Sequence, residues 1–311
     1  MCGIAGIIYR ADGSKHDVGL DMTRMLQSMK HRGPDSTGYA LYGETGDLVV
    51  MRYKLADANT PRDFDFHDRL RQRRAMVEQR LARIGAHVEE TREDTEYASR
   101  VTLRYDGDLK ALADFVEDVP ECEVLSLGHS LEIVKDLGDA ETVSKQYRLE
   151  KIRGTHAIGH VRMATESDVD ISGAHPYWAY PFPDVAVVHN GQLTNYFQWR
   201  RRLERSGHRF QSDCDSEIIA VYIAEKLAAG SSLEDAMNQS LDDLDGVFTY
   251  ICVTEDALGV AKDEMAAKPL VLYESNGLVA LASEEIAIRA LIDHEIETYD
   301  PYEREVLVWR R

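Results

Sequence analysis

A cysteine directly after the initiating methionine is the residue best placed for chemistry. When Met1 is trimmed, as is usual before a small second residue, Cys2 carries a thiol and a free α-amine together. An α-amine has a reference pKa of roughly 7.7–8.0, so near neutrality part of it can take the thiol proton. It can later return a proton to a leaving amine, as other N-terminal nucleophiles do. A Met-Cys start alone reads more simply as the head of a buried strand, so the case for chemistry rests on residues further along the chain. Asn190-Gly191 closes an apolar run and by itself is a common hairpin turn. Asp215 precedes Ser216-Glu217 at the start of an apolar-periodic segment, a good position for a helix N-cap. None of the 11 histidines has the HExxH or similar ligand spacing, so no metal is expected. The four cysteines, Cys2, Cys122, Cys214 and Cys252, are too few and scattered for a disulfide framework or a Cys-x-x-Cys site.

Further stretches add to Cys2. MCGIAGI at the start and HRGPDSTG at 31–38 are succeeded in order by GHVRMAT (159–165), HNGQLTN (189–195), SDCDSEII (212–219), KPL (268–270) and ASE (282–284). This series resembles the class II, N-terminal nucleophile glutamine amidotransferases over about 1–55 and 153–310. Within that family RMAT…HPYWAYPF…VVHNG looks most like the amidotransferase domain of glutamate synthase, and N-methylglutamate synthase is the nearest variant with a small amidotransferase-like subunit. The resemblance implies an α+β fold, a four-layer αββα sandwich of the N-terminal nucleophile hydrolase type, within an amidotransferase domain spanning 2–311. It also implies hydrolysis of the glutamine side-chain amide through a thioester on Cys2, with ammonia passed to a partner.

The same resemblance implies the site. Asn190 and Gly191 resemble the oxyanion hole, Arg162 the grip on the substrate α-carboxylate with Thr165 as a further donor, and Asp215 the acceptor of the α-amino group. Arg32 and Asp35 shape the pocket. No cofactor is expected on this chain; FMN and an iron–sulfur cluster are expected on glutamate-synthase-like partner subunits, in a hetero-oligomer. Two departures stand out: Glu166, where relatives carry His or Asn, and HNGQ in place of HNGE or HNGI. Glu166 supports an alternative, a non-catalytic subunit for assembly or gating. A hydrolase of another amide is a third reading, which the carboxylate-gripping Arg162 and amine-accepting Asp215 disfavour.

The elements that must position these residues are legible in outline. Residues 2–9 read as an apolar strand ended by Ala11-Asp12-Gly13, and Val18, Met22, Met25, Leu26 and Met29 as one face of a helix. HRGPDSTG reads as a loop, and Leu48 to Tyr53 as a strand. From 56 to 150 the character changes to an inserted α/β subdomain. It has a charged helix with Phe66, Leu70, Val77, Leu81 and Ile84 on one face, a strand near 100–105, a helix near 108–118, a strand near 123–134 and a short acidic helix. AIGHVRM and DVAVVHNG read as strands buried on both faces. Helices near 195–206 and 216–229, four short strands between 247 and 282, a helix at 284–292 and the strand EVLVW complete the chain. The net charge of −19 argues against nucleic acid or an anionic membrane as partner. With no spanning apolar run and no basic leader, a cytoplasmic protein is expected.

Overall fold

The computed structural model describes residues 2–10, 16–43, 46–163 and 171–311. Thr165, Glu166 and the expected turn at 11–13 lie outside the described residues. Strand β1 (Gly3–Tyr9) leads to helix α1 (Val18–Ser28), a 3-10 turn (Lys30–Arg32) and strands β2 (Ser36–Tyr42) and β3 (Val49–Lys54). Next come α2 (Phe66–Arg83), β4 (His87–Glu93), β5 (Ala98–Arg104), α3 (Leu109–Glu117), β6 (Glu123–Gly128), β7 (Leu131–Leu137), α4 (Ala140–Tyr147) and a second 3-10 turn (Leu149–Lys151). The chain continues through β8 (His156–Arg162), β9 (Tyr177–Trp178), β10 (Ala186–Leu193), α5 (Tyr196–Arg205), α6 (Asp215–Ala228) and α7 (Leu233–Asp243). Strands β11 (Gly246–Val253), β12 (Ala257–Lys262), β13 (Val271–Glu274) and β14 (Leu278–Ala282), helix α8 (Glu285–Arg289) and β15 (Val306–Arg310) complete it.

These strands form three sheets, a mixed α/β architecture. The largest runs β13-β14-β1-β8-β2-β7, the second β15-β12-β11-β10-β9, and the third β4-β5-β3-β6. Strand β1 sits inside the first sheet, antiparallel to both β14 and β8. It shows no apolar/polar alternation because both faces are covered: α1 packs on one, and β10, β11 and β12 touch the other. Helix α1 buries Val18, Met22, Met25, Leu26 and the adjoining Met29, each worth about 1.5–3 kcal/mol of burial. On β10, Ala186 and Val188 enter the large core while Val187 joins a second cluster under α6 and α7, so the strand is buried on both faces as expected.

Four elements differ from the sequence reading. Ser36-Thr37-Gly38 of HRGPDSTG already belongs to β2, a fully buried strand between β7 and β8. The run at 123–134 is two strands, because the carboxylate of Asp184 gathers a turn between them. It accepts hydrogen bonds from the backbone N–H groups of His129, Ser130 and Leu131 and from the Ser130 hydroxyl at 2.8–3.1 Å. Strand β4 is almost wholly exposed and so has no apolar pattern. Helix α7 has a Ser232 cap accepting from Asp235 N and buries Leu233, Ala236, Met237 and Leu241. The third sheet begins with β3, ahead of residue 56, while β7 joins the largest sheet and α4 packs on α1.

Candidate active site

The residues singled out by chemistry converge. One cavity of about 900 Å³ is lined by Cys2, Arg162, Asn190, Gly191 and Asp215, among others. Each arrives on a different support. Cys2 immediately precedes β1, Arg162 ends the neighbouring β8, Asn190 and Gly191 lie on β10 of the facing sheet, and Asp215 opens α6.

Cys2 is held through its main chain. Its carbonyl oxygen accepts from Arg32 Nε at 3.0 Å and from Asn190 Nδ2 at 3.2 Å. Glu284 in turn holds Arg32 Nη1 at 2.6 Å and contacts His31 Nε2 at 2.9 Å. Burial alone would raise the Glu284 pKa, but Arg32 and His31 outweigh it and keep the carboxyl below its ordinary value. The Cys2 sulfur lies 3.5 Å from Met163 N, which donates to it. Gly33 explains the glycine of HRGPDSTG: a Cβ there would lie 2.5–2.6 Å from the main chain of Val161 and Arg162. That loop therefore butts against the strand end that carries Arg162, and Asp35 N donates to Arg162 O at 3.1 Å.

Asn190 is buried, and its Nδ2 also lies 3.3 Å from Ser283 Oγ. Ser283 accepts from Ile4 N at 3.0 Å, so the ASE stretch steadies both β1 and Asn190. Gly191 has φ +141°, and an added Cβ would meet Val247 O at 2.1 Å. The pair is thus a constrained strand segment paired with β11, not a hairpin turn.

Asp215 is not the cap of its helix; Cys214 holds that position, without a side-chain capping bond. The carboxylate instead accepts from Leu193 N at 2.8 Å, tying α6 to the strand carrying Asn190. Glu217, buried two residues further along α6, accepts from Gln211 N, Ser212 N and Ser212 Oγ at 2.7–2.9 Å and so shapes the 211–213 rim. Burial raises its pKa above the ordinary carboxyl value.

Sequence reasoning missed three buried histidines in the cavity wall, His160, His175 and His189. The rings of His160 and His175 stack at 4.2 Å, and Ser216 Oγ bridges His175 Nε2 at 2.6 Å and His189 Nδ1 at 2.8 Å. Burial chiefly, then the charges of His189 and Arg162, pushes His160 down to about 3. Burial likewise puts His175 well below 6.5 and lowers His189, the latter against the pull of Asp215. The signal available was one histidine inside each of GHVRM, AHPYW and VVHNG.

Residues 160–290 match the family model described as a glutamine amidotransferase domain. Over 306 residues the chain is 42% identical to a Methanothermobacter thermautotrophicus protein provisionally named a glutamine amidotransferase, covering 97% of this chain and 98% of that one. It is 33% identical to the glutamine amidotransferase-like protein GlxB of Rhizobium meliloti, over 99% of this chain and 98% of the other. Among solved structures, the glutamine phosphoribosylpyrophosphate amidotransferase of B. subtilis shares the fold, with a TM-score of 0.61 at 20% identity. The match takes in 99% of this chain, which spans about half (47%) of that longer one.

Proposed function

Because the chain belongs to the class II glutamine amidotransferase family, we propose that Cys2, freed by removal of Met1, attacks the side-chain amide of glutamine held in the 900 Å³ cavity. The observation that carries this reading is the convergence of Cys2, Arg162, Asn190, Gly191 and Asp215 on that one cavity. The α-amine takes the thiol proton as sulfur bonds to the amide carbon. Collapse of the tetrahedral adduct breaks the C–N bond, the departing nitrogen receives the proton, and a γ-glutamyl thioester remains. Water then attacks the thioester, giving glutamate and restoring the thiol. Arg162, with Thr165, takes the α-carboxylate as a fork that lysine matches poorly, and Asp215 takes the α-amino group. Asn190 exchanges one of its two long hydrogen bonds, to Cys2 O or Ser283 Oγ, for the developing oxyanion, assisted by Gly191 N–H.

The facing sheets, with α1, α4 and α8 on one side and α6 and α7 on the other, fit the four-layer αββα arrangement of N-terminal nucleophile enzymes. The stretch 56–150, apart from β7 and α4, which join the main body, is then an insertion into one amidotransferase domain. Ammonia passes to a glutamate-synthase-like partner, of the glutamate synthase or N-methylglutamate synthase type, in a cytoplasmic hetero-oligomer whose other subunits carry FMN and iron–sulfur centres. No helix among the described residues is long and apolar enough to cross a membrane.

The test is a γ-electrophilic glutamine analogue coupled to peptide mapping. A single adduct on Cys2, with Met1 gone, is expected. Cys122 and Cys252 are buried with their thiol pKa values pushed up, and burial together with Asp215 raises Cys214, so all three stay unlabelled. Labelling at any of them, or Met1 retained in active protein, overturns the proposal.

A further inference from the structure

A second cavity, of about 330 Å³, lies where the third sheet meets the 3-10 turn after α4, and Arg92, Arg100, His129, Arg148, Lys151 and Arg153 are in its lining. An adjoining recess shares Val50 and His129 and adds Arg104. Neither has a lining residue in common with the cavity around Cys2. Acidic side chains in these walls are Glu132 and, in the recess, Asp47. In a chain of net charge −19 the general field repels anions, so a concentration of cations in a concave site is informative.

The cations differ in how far they are neutralised. Glu132 grips Arg100 through Nε at 2.8 Å and Nη2 at 2.9 Å, and also pairs with the buried Arg52. Asp94 takes Arg92 Nε and Arg52 Nη1, each at 2.6 Å. Two buried carboxylates are therefore divided among three guanidiniums, with Glu90 at 3.5 Å a more exposed third contact to Arg100. Arg153 faces Asp17 at 3.2 Å. Arg148 and Lys151 have no ion-pair partner among the described residues. Arg148 caps α4 with φ +57° and ψ +40°, a conformation that glycine or asparagine adopts at lower cost. His129 Nδ1 is buried without a hydrogen-bond partner among the described residues.

We infer that this cavity binds a small anion bearing phosphoryl groups, at a site separate from the one that handles glutamine. The fixed arginines of the sheet, the His129 turn and the Arg148–Arg153 segment bring these groups to one cavity from separate elements. That arrangement suits the tetrahedrally disposed oxygens of a phosphoryl group better than a single planar carboxylate. The volume admits a molecule of pyrophosphate or sugar-phosphate size.

Titration calorimetry of the full chain with inorganic pyrophosphate, at constant ionic strength, tests this. One site per chain is expected, weakened by roughly tenfold or more in Arg148→Asn/Lys151→Gln. Both side chains are exposed and asparagine tolerates the left-handed backbone, so the fold is retained, which a thermal melt checks. The control Arg71→Gln/Arg83→Gln removes the same charge from exposed positions on α2 and leaves the affinity unchanged. No binding by the wild type, equal weakening in both double variants, or tighter binding of citrate than of pyrophosphate overturns the inference.

Discussion

Lowering the pH from 7 to 5 should cost this protein several kcal/mol of stability, and buried histidines should be the main cause. His156 is held down to about 4 and His160 to about 3, in both cases chiefly by burial. The unfolded chain takes up a proton at each near pH 6.5, whereas the native state stays neutral through this range. The unfolded state therefore binds more protons, and stability falls as the pH falls. Integrating the linkage from pH 7 to 5 gives about 2 kcal/mol for each histidine, or about 4 kcal/mol for the two. His175 and His189, also lowered, act in the same direction. Glu117 and Glu217 oppose them: burial raises both, so the native state takes protons before the unfolded chain does. Against a typical total of about 5–15 kcal/mol the net effect is large. Urea titrations at pH 7, 6 and 5 measure it. His160→Gln should shrink the difference between pH 7 and 5 by about 2 kcal/mol. Stability that is flat over this range, or an identical pH dependence in that variant, would refute the reasoning.

Three further outcomes are expected, the first from the geometry and the other two from the proposed function. Asp184→Ala should lose about 3 kcal/mol or more in denaturant titration, because three N–H groups and a hydroxyl lose a buried carboxylate. Asn190→Ala should lower kcat by roughly a hundredfold or more with little change in KM, whereas Arg162→Lys should chiefly raise KM; swapped signatures in steady-state glutaminase assays would void those roles. The isolated chain should hydrolyse glutamine slowly and accelerate by up to roughly a hundredfold with a synthase partner bound, and full activity in the isolated chain would remove partner gating.

Much of the candidate site was legible because its residues fall in ordered motifs, and one cavity gathers those that are described. What local sequence could not reveal was support from distant residues. Asp184 cuts one apolar run into two strands from more than fifty positions away. Glu284 fixes Arg32, and Ser283 fixes Ile4 and Asn190, through contacts that have no sequence periodicity. Helix α7 was overlooked although Ser232 and the spacing of its apolar residues were visible. Strand β4 offered no such pattern, since nearly every residue of it meets solvent. The three histidines of the cavity wall stand on separate elements, and only folding brings them together.

The placement of β1 sets a timetable for biosynthesis. Its hydrogen-bonding neighbours are β8 and β14, and Ile4 N reaches Ser283 across 279 positions. A growing polypeptide can release the segment bearing Cys2 first, yet that segment has no complete sheet to enter until residues 278–283 emerge from the ribosome. Closing so long a loop makes this a slow, late event. The Cys2 segment thus lacks its full set of strand partners during most of translation, and Asn190, Arg32 and the cavity wall gather around it only afterwards. Topology thereby makes assembly of the pocket a late event, and a chain that stops short of β14 lacks the sheet on which the pocket is built.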